Sequence, residues 1–184
     1  MSNSNKYYAG IGSRETPRSA RETINKIAMR LNDLGYTLRS GGADGADTFF
    51  EEVSERSEIF LPWAGFNHRP PVDLYNPDGQ HRYIDSPTDE AMELAQESIR
   101  GFGDRKNGVK MLLARNMHQV LGEDLKTPVR FVACWTPGGR VQGGTAHAIR
   151  LAKSRDITVY NLAIPAHTEA LKSRIGLSAQ GSLF

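Results

Sequence analysis

Three stretches of this sequence combine glycine with hydroxyl, guanidinium or carboxylate side chains. They are Gly10-Ile11-Gly12-Ser13-Arg14, Arg39-Ser40-Gly41-Gly42-Ala43-Asp44-Gly45, and Thr136-Pro137-Gly138-Gly139 through Gly143-Gly144-Thr145. Glycine lets a ligand come close to main-chain N–H groups. In the first stretch Ser13 can donate a hydrogen bond, and Arg14 can grip a phosphate or carboxylate through two parallel bonds. The second stretch opens a helix, where free amides and the helix dipole favour an anion. Asp44 there either caps the helix or accepts from ribose hydroxyls or a base edge, and Asp47 reads as a helix-end residue. The third stretch is the most specific. Its amides at Gly143, Gly144 and Thr145, with the Thr145 hydroxyl, suit a phosphate. The shared chemistry is binding of a nucleotide or nucleotide-derived small molecule. No Gly-x-Gly-x-x-Gly or Walker lysine pattern is present, because Thr16 and Pro17 follow the first loop.

The surrounding pattern predicts what positions these loops. Tyr7 to Gly12 reads as a buried strand. Thr16-Pro17 starts a helix with Ile24, Ile27, Ala28, Leu31 and Leu34 on one face. Tyr36 to Ser40 reads as a second strand, about 43–56 as a helix, and Ser57 to Leu61 as a third strand. Pro62 to Pro87 reads as a long ordered loop. Helices follow over about 88–100 and 108–121. Strands at Val129 to Trp135 and Ile157 to Leu162 flank a further helix, and a last helix covers 166–175. This order predicts a single α/β, Rossmann-like domain over 1–184, with a mostly parallel sheet of about five strands and helices on both faces. Residues of about 62–125 form a loop and helical insertion. All three glycine loops then fall at the carboxyl ends of strands, where such sheets bind ligands.

Composition narrows the function classes. The 184 residues, 39% hydrophobic and 24% charged, suit one globular domain. With 23 basic and 21 acidic residues the net charge is +2, so bulk charge gives no reason to invoke nucleic acid or a membrane surface. The lone cysteine, Cys134, lies in an apolar run and reads as a small buried hydrophobe. No apolar run approaches the ~20 residues of a membrane span. A reducing, cytoplasmic setting is the expectation.

Other polar residues are open between two readings. Trp63 and Asn67 follow the third strand, where they stack on a base or pack the loop. Arg115 and Asn116, at helical spacing from Gln119, form either a solvated face or a pocket contact. His147 is a packing histidine or a ligand contact. The five histidines have no metal-binding spacing, so neither metal nor cofactor is expected.

Taken together the loops resemble the SLOG superfamily, which holds the LOG phosphoribohydrolases, the DNA-processing protein DprA, molybdenum-cofactor carrier proteins and sensors of bacterial antiphage systems. The resemblance covers about 7–61 and 129–162. Small phage and bacterial members also share Arg115-Asn116 with Gln119, Val120-Leu121-Gly122 and Trp135-Thr136. It implies a Rossmann-like sheet, a nucleotide-type ligand at the loops and a homodimer or higher homo-oligomer, built through the apolar faces of the two middle helices. One departure bears on chemistry. LOG hydrolases carry Pro-Gly-Gly-x-Gly-Thr-x-x-Glu, whereas here Arg140-Val141-Gln142 lengthens the loop and Ala148 stands at the glutamate position, after His147. A carboxylate there stabilises positive charge on the ribosyl carbon or activates water, and alanine does neither. The expectation is a non-catalytic binder, an anti-defence protein that sequesters an NAD-derived cyclic ADP-ribose or a cyclic oligonucleotide. The alternatives are a hydrolase of nucleotide N-glycosidic or phosphate bonds, and a DprA-like DNA-binding protein. Nucleic acid is the disfavoured partner.

Overall fold

The computed structural model describes residues 6–69 and 80–177. Six strands alternate with helices: β1 (Tyr7–Gly12), α1 (Arg18–Asp33), β2 (Thr37–Ser40), α2 (Ala46–Glu51), β3 (Ser57–Leu61), β4 (His81–Asp85), α3 (Asp89–Ser98), α4 (Asn107–Leu121), β5 (Phe131–Trp135), α5 (Thr145–Ser154), β6 (Thr158–Asn161) and α6 (Pro165–Arg174). The local reasons are ordinary. The Thr88 hydroxyl accepts from the Ala91 N–H and starts α3. In α1, Ile24, Ile27, Ala28 and Leu31 recur at i, i+3, i+4 and i+7, and all four are fully buried. Truncating Leu31 to alanine there would cost about 3 kcal/mol.

The strands form one parallel sheet in the order β4-β3-β2-β1-β5-β6. Alternate strand residues serve opposite faces. Tyr8, Phe131 and Ala133 pack with α1, α2 and α6 on one side. Ala9, Ile11, Val132 and Cys134 pack with α3, α4 and α5 on the other. Burial pushes the Cys134 thiol up to about 12, so this residue is an inert part of the core. The chain steps outward from β1 to β4, then returns to place β5 on the other side of β1. Winding therefore reverses between β1 and β5, and that reversal leaves a crevice beyond their carboxyl ends.

Several expectations need correction. The sheet has a sixth strand: β4 lies within the stretch expected to be loop. It is an edge strand with Ile84 as its one buried residue, so its sequence lacks the alternation that marks a strand. The helix expected over about 43–56 is the short α2, since Gly45 turns the chain at φ +78° just before it. Val109, near the start of α4, is exposed. The apolar faces of the two middle helices, α3 and α4, pack into the core through Ala91, Ala95, Leu113, Met117 and Val120. The prolines Pro70 and Pro71 and Tyr75 lie outside the described residues. Among the described residues no helix is long and apolar enough to cross a membrane.

Candidate functional site

The crevice at the winding reversal is a cleft of about 610 Å³. The end of β1 contributes Gly12, Ser13, Arg14 and Glu15. The β2–α2 turn contributes Ala43 and Asp47. One face of α4 contributes Leu112, Leu113, Arg115, Asn116 and Gln119. The β5–α5 loop contributes Pro137, Gln142, Gly143, Gly144 and Thr145. The cleft thus has apolar walls, two guanidinium groups and the start of a helix.

Asp47 organises the inner wall. It is 3% exposed, and its carboxylate accepts the N–H of Gly12 at 3.0 Å, of Gly41 at 3.1 Å and of Ala43 at 3.4 Å. Two loops from neighbouring strands are thereby tied to one side chain. The Ser40 hydroxyl adds a second tie by donating to the Gly10 carbonyl at 2.6 Å. The Ser13 N–H donates to the Trp135 carbonyl at 3.0 Å and joins the β1 loop to the end of β5. Burial raises the Asp47 carboxyl above the ordinary carboxylate range, while Arg115 and the three amides pull it back.

Arg115 fills the space behind that wall. Its guanidinium donates to the carbonyls of Gly41 and, at 3.1 Å, Phe60, and to the Asn116 carboxamide oxygen at 3.2 Å. Burial pushes it down to about 10, and Asp47 opposes that shift. It stays charged at neutral pH and places a cation under the cleft. A Cβ at Gly41 would run into the Arg115 guanidinium and the Gln119 carboxamide, so both side-chain ends would have to shift. Asn116 donates to the Gly144 carbonyl at 3.0 Å and so links α4 to the opposite wall.

The outer wall is the beginning of α5. Gly144 precedes the helix, and no side chain caps it. Uncapped N–H groups at a helix start carry about half a positive charge through the dipole. Exposed Arg14 stands across the cleft, its guanidinium 5.9 Å from the Phe66 ring centre. Gln119 is 2% exposed and lines the cleft, and among the described residues its carboxamide has no hydrogen-bond partner. No cluster of three or more potential metal ligands occurs among the described residues.

Of the residues singled out by sequence, Gly12, Ser13, Arg14, Arg115, Asn116, Gly143, Gly144 and Thr145 line this cleft. Gly10, Ser40, Gly41 and Gly42 form the framework beneath it. The others lie elsewhere for identifiable reasons. Arg39 is drawn into a buried ion pair with Glu58 at 2.7 Å, donates to the Thr127 carbonyl, and stacks 3.7 Å from the Tyr7 ring centre. Asp44 is exposed and accepts from the Asn67 carboxamide at 3.0 Å. Asn67 also donates to the Gly42 carbonyl, so it braces the β2 loop. Trp63 is exposed and packs edge-on against Phe66. Thr136 is fully buried, its hydroxyl accepting from the Asn161 carboxamide at 2.6 Å. Gly138 faces a second groove with Pro17, Trp135 and Leu162, and Gly139 packs on Ile164. His147 is half-buried outside the cleft. Burial and the charges of Arg150 and Arg105 lower its basicity.

Sequence reasoning left Asp47 at a helix end and did not place Glu15, Leu112, Leu113 or Gln142. The signal for Asp47 was its position one turn after two glycines, but a carboxylate that accepts loop amides has no sequence period. Ala148, at the position of the LOG glutamate, is fully buried in the core beneath α5.

No protein-family model matches the chain, and no curated protein matches it in sequence. Solved structures share its fold. DNA processing protein A from Helicobacter pylori, described for its single-stranded DNA binding mode, aligns with TM-score 0.51 and 18% identity over 84% of this chain and 64% of that one. Its counterpart from Streptococcus pneumoniae aligns with TM-score 0.50 and 12% identity over 92% and 56%. The molybdenum cofactor carrier protein of Chlamydomonas reinhardtii aligns with TM-score 0.46 and 16% identity over 94% and 87%. The chain spans less than two thirds of each DprA it matches. At these identities the likeness to the two DprA structures is one of fold alone, a Rossmann-like α/β fold. The expectation against nucleic acid draws no support from these neighbours.

Proposed function

We propose that this protein binds a phosphate-bearing, nucleotide-type small molecule in the cleft at the β1/β5 reversal, and holds it without turnover. One observation carries the reading: the uncapped start of α5, Arg14 and the buried cation of Arg115 converge on a single cleft with apolar side walls. Partial positive charge from a helix start and a bidentate guanidinium suit a phosphate. Leu112, Leu113 and Ile11 suit the faces of a sugar or ring.

The holding role follows from the acids. Asp47 is buried and accepts three loop amides, and Ala148 brings no carboxylate. Glu15 is the remaining acid at the cleft among the described residues, and it is exposed. The finer form of the reading, capture of an NAD-derived cyclic ADP-ribose or cyclic oligonucleotide signal by an anti-defence protein of phage type, rests on the likeness of the loops to SLOG sensors. Calorimetric titration with nucleoside monophosphates, NAD and cyclic nucleotides, followed by mass spectrometry of the recovered ligand, tests both levels. Heat with an intact ligand supports holding. Recovery of a cleaved ligand would replace it with catalysis, and silence across the panel would remove the binding reading.

A second reading is favoured by the fold likeness to a DprA described for single-stranded DNA binding. In that case Arg14 and the α5 start would grip a strand phosphate. A gel shift with single-stranded DNA that weakens steeply with salt would support it.

A further inference from the structure

We infer that Gln119 is the specificity-determining residue of the cleft, reading a heteroaromatic edge that presents a hydrogen-bond donor beside an acceptor. The inference rests on the anion-binding reading above and adds what the uncharged part of the ligand must be. Gln119 is 2% exposed and lines the cleft, and its carboxamide has no hydrogen-bond partner among the described residues. Its carboxamide is not among the fully enclosed unpaired atoms, so it opens onto the cleft and can bond to what enters there. Its neighbours explain why the protein does not satisfy it. Arg115 takes the nearby carbonyls of Gly41 and Phe60, and Asn116 is committed to Gly144. Gln119 follows these residues by one helical turn on the same face of α4, about 5 Å further along the axis. It stands over Gly41, at the inner end of the cleft.

A carboxamide offers an N–H donor and a carbonyl acceptor side by side. The matching partner is a planar edge with the complementary pair, which nucleobases carry and which glutamine reads on adenine in the bidentate mode. Phosphate and simple carboxylates carry no such donor beside an acceptor at neutral pH, and ribose hydroxyls form no planar edge. A site built around such a pair discriminates strongly against analogues that leave it unpaired. The structure therefore divides the work. Arg14 and the α5 start take the anion, and Gln119 takes the ring.

The test compares AMP with ribose 5-phosphate by calorimetry on the full chain. The wild-type protein should bind AMP at least tenfold more tightly. Gln119→Leu, and Gln119→Met as a variant of closer shape, should each shrink that ratio by about tenfold, whereas Arg14→Ala should weaken both probes and leave the ratio standing. Equal affinities in the wild type, or a ratio that survives both Gln119 substitutions, would overturn the assignment while leaving anion binding intact. Failure of both probes to bind would overturn the assignment together with the reading beneath it.

Discussion

The inner wall of the cleft is tied down by buried side chains, and the outer wall is exposed. Asp47, Ser40 and Arg115 fasten the β1 and β2 loops through bonds to their backbone. The β5–α5 loop runs through exposed Gly143 and Gly144, with Asn116 holding the Gly144 carbonyl. Glycine means different things on the two sides. A Cβ at Gly41 would meet the ends of the Arg115 and Gln119 side chains, whereas Gly144 faces open space and Gly143 is set by its backbone, at φ +68°. The glycines with room around them are the ones whose amides a ligand can reach. Substitutions should therefore affect stability on the inner wall, and binding at Gly144 on the outer one.

The largest effect is expected at Asp47. Asp47→Ala would leave three loop amides without their acceptor and the Arg115 charge without its countercharge, at a cost of about 3 kcal/mol in urea unfolding. A change under about 1 kcal/mol would show that the inner wall is not held as described. Gly41→Ala should follow, at about 2 kcal/mol, because Arg115 and Gln119 must both give way. A smaller, pH-dependent effect comes from His118 on the far side of α4. Its Nδ1–H donates to the Gly122 carbonyl at 2.9 Å, and its Nε2 accepts the Thr88 N–H at 3.2 Å. Burial lowers its pKa below the ordinary 6.5. Its contribution is thus fully present above 6.5 and is lost as pH falls through the lower folded value, because the unfolded chain takes up the proton first. Melting temperature should drop between about pH 7 and about pH 5 more in the wild type than in His118→Gln. The smallest effect on stability is expected at Gly144→Ala, within about 0.5 kcal/mol.

The same contrast explains what the sequence disclosed. Strands β1, β3 and β5 and helix α1 were legible because buried parallel strands and amphipathic helices print their periods in apolar residues. The glycine loops were legible as a set because each follows a strand. Edge strand β4 was not, having one buried residue. Polar residues were the hard cases. Arg39 and Arg115 are equally buried arginines, yet Glu58 claims the first and the cleft receives the second. Which partner wins is settled by strands and helices distant in sequence, and no local spacing records it.

The central claim is that the start of α5 and the end of β1 take the anion. Amide NMR spectra of isotope-labelled protein, recorded with and without AMP, test it most directly. The expected result is that the amide signals of Ser13, Arg14, Gly143, Gly144 and Thr145 shift on titration while those of Trp63 and Gly138, outside the cleft, stay in place. Shifts centred on Trp63 or Gly138, with the Gly143 to Thr145 amides unmoved, would contradict the account.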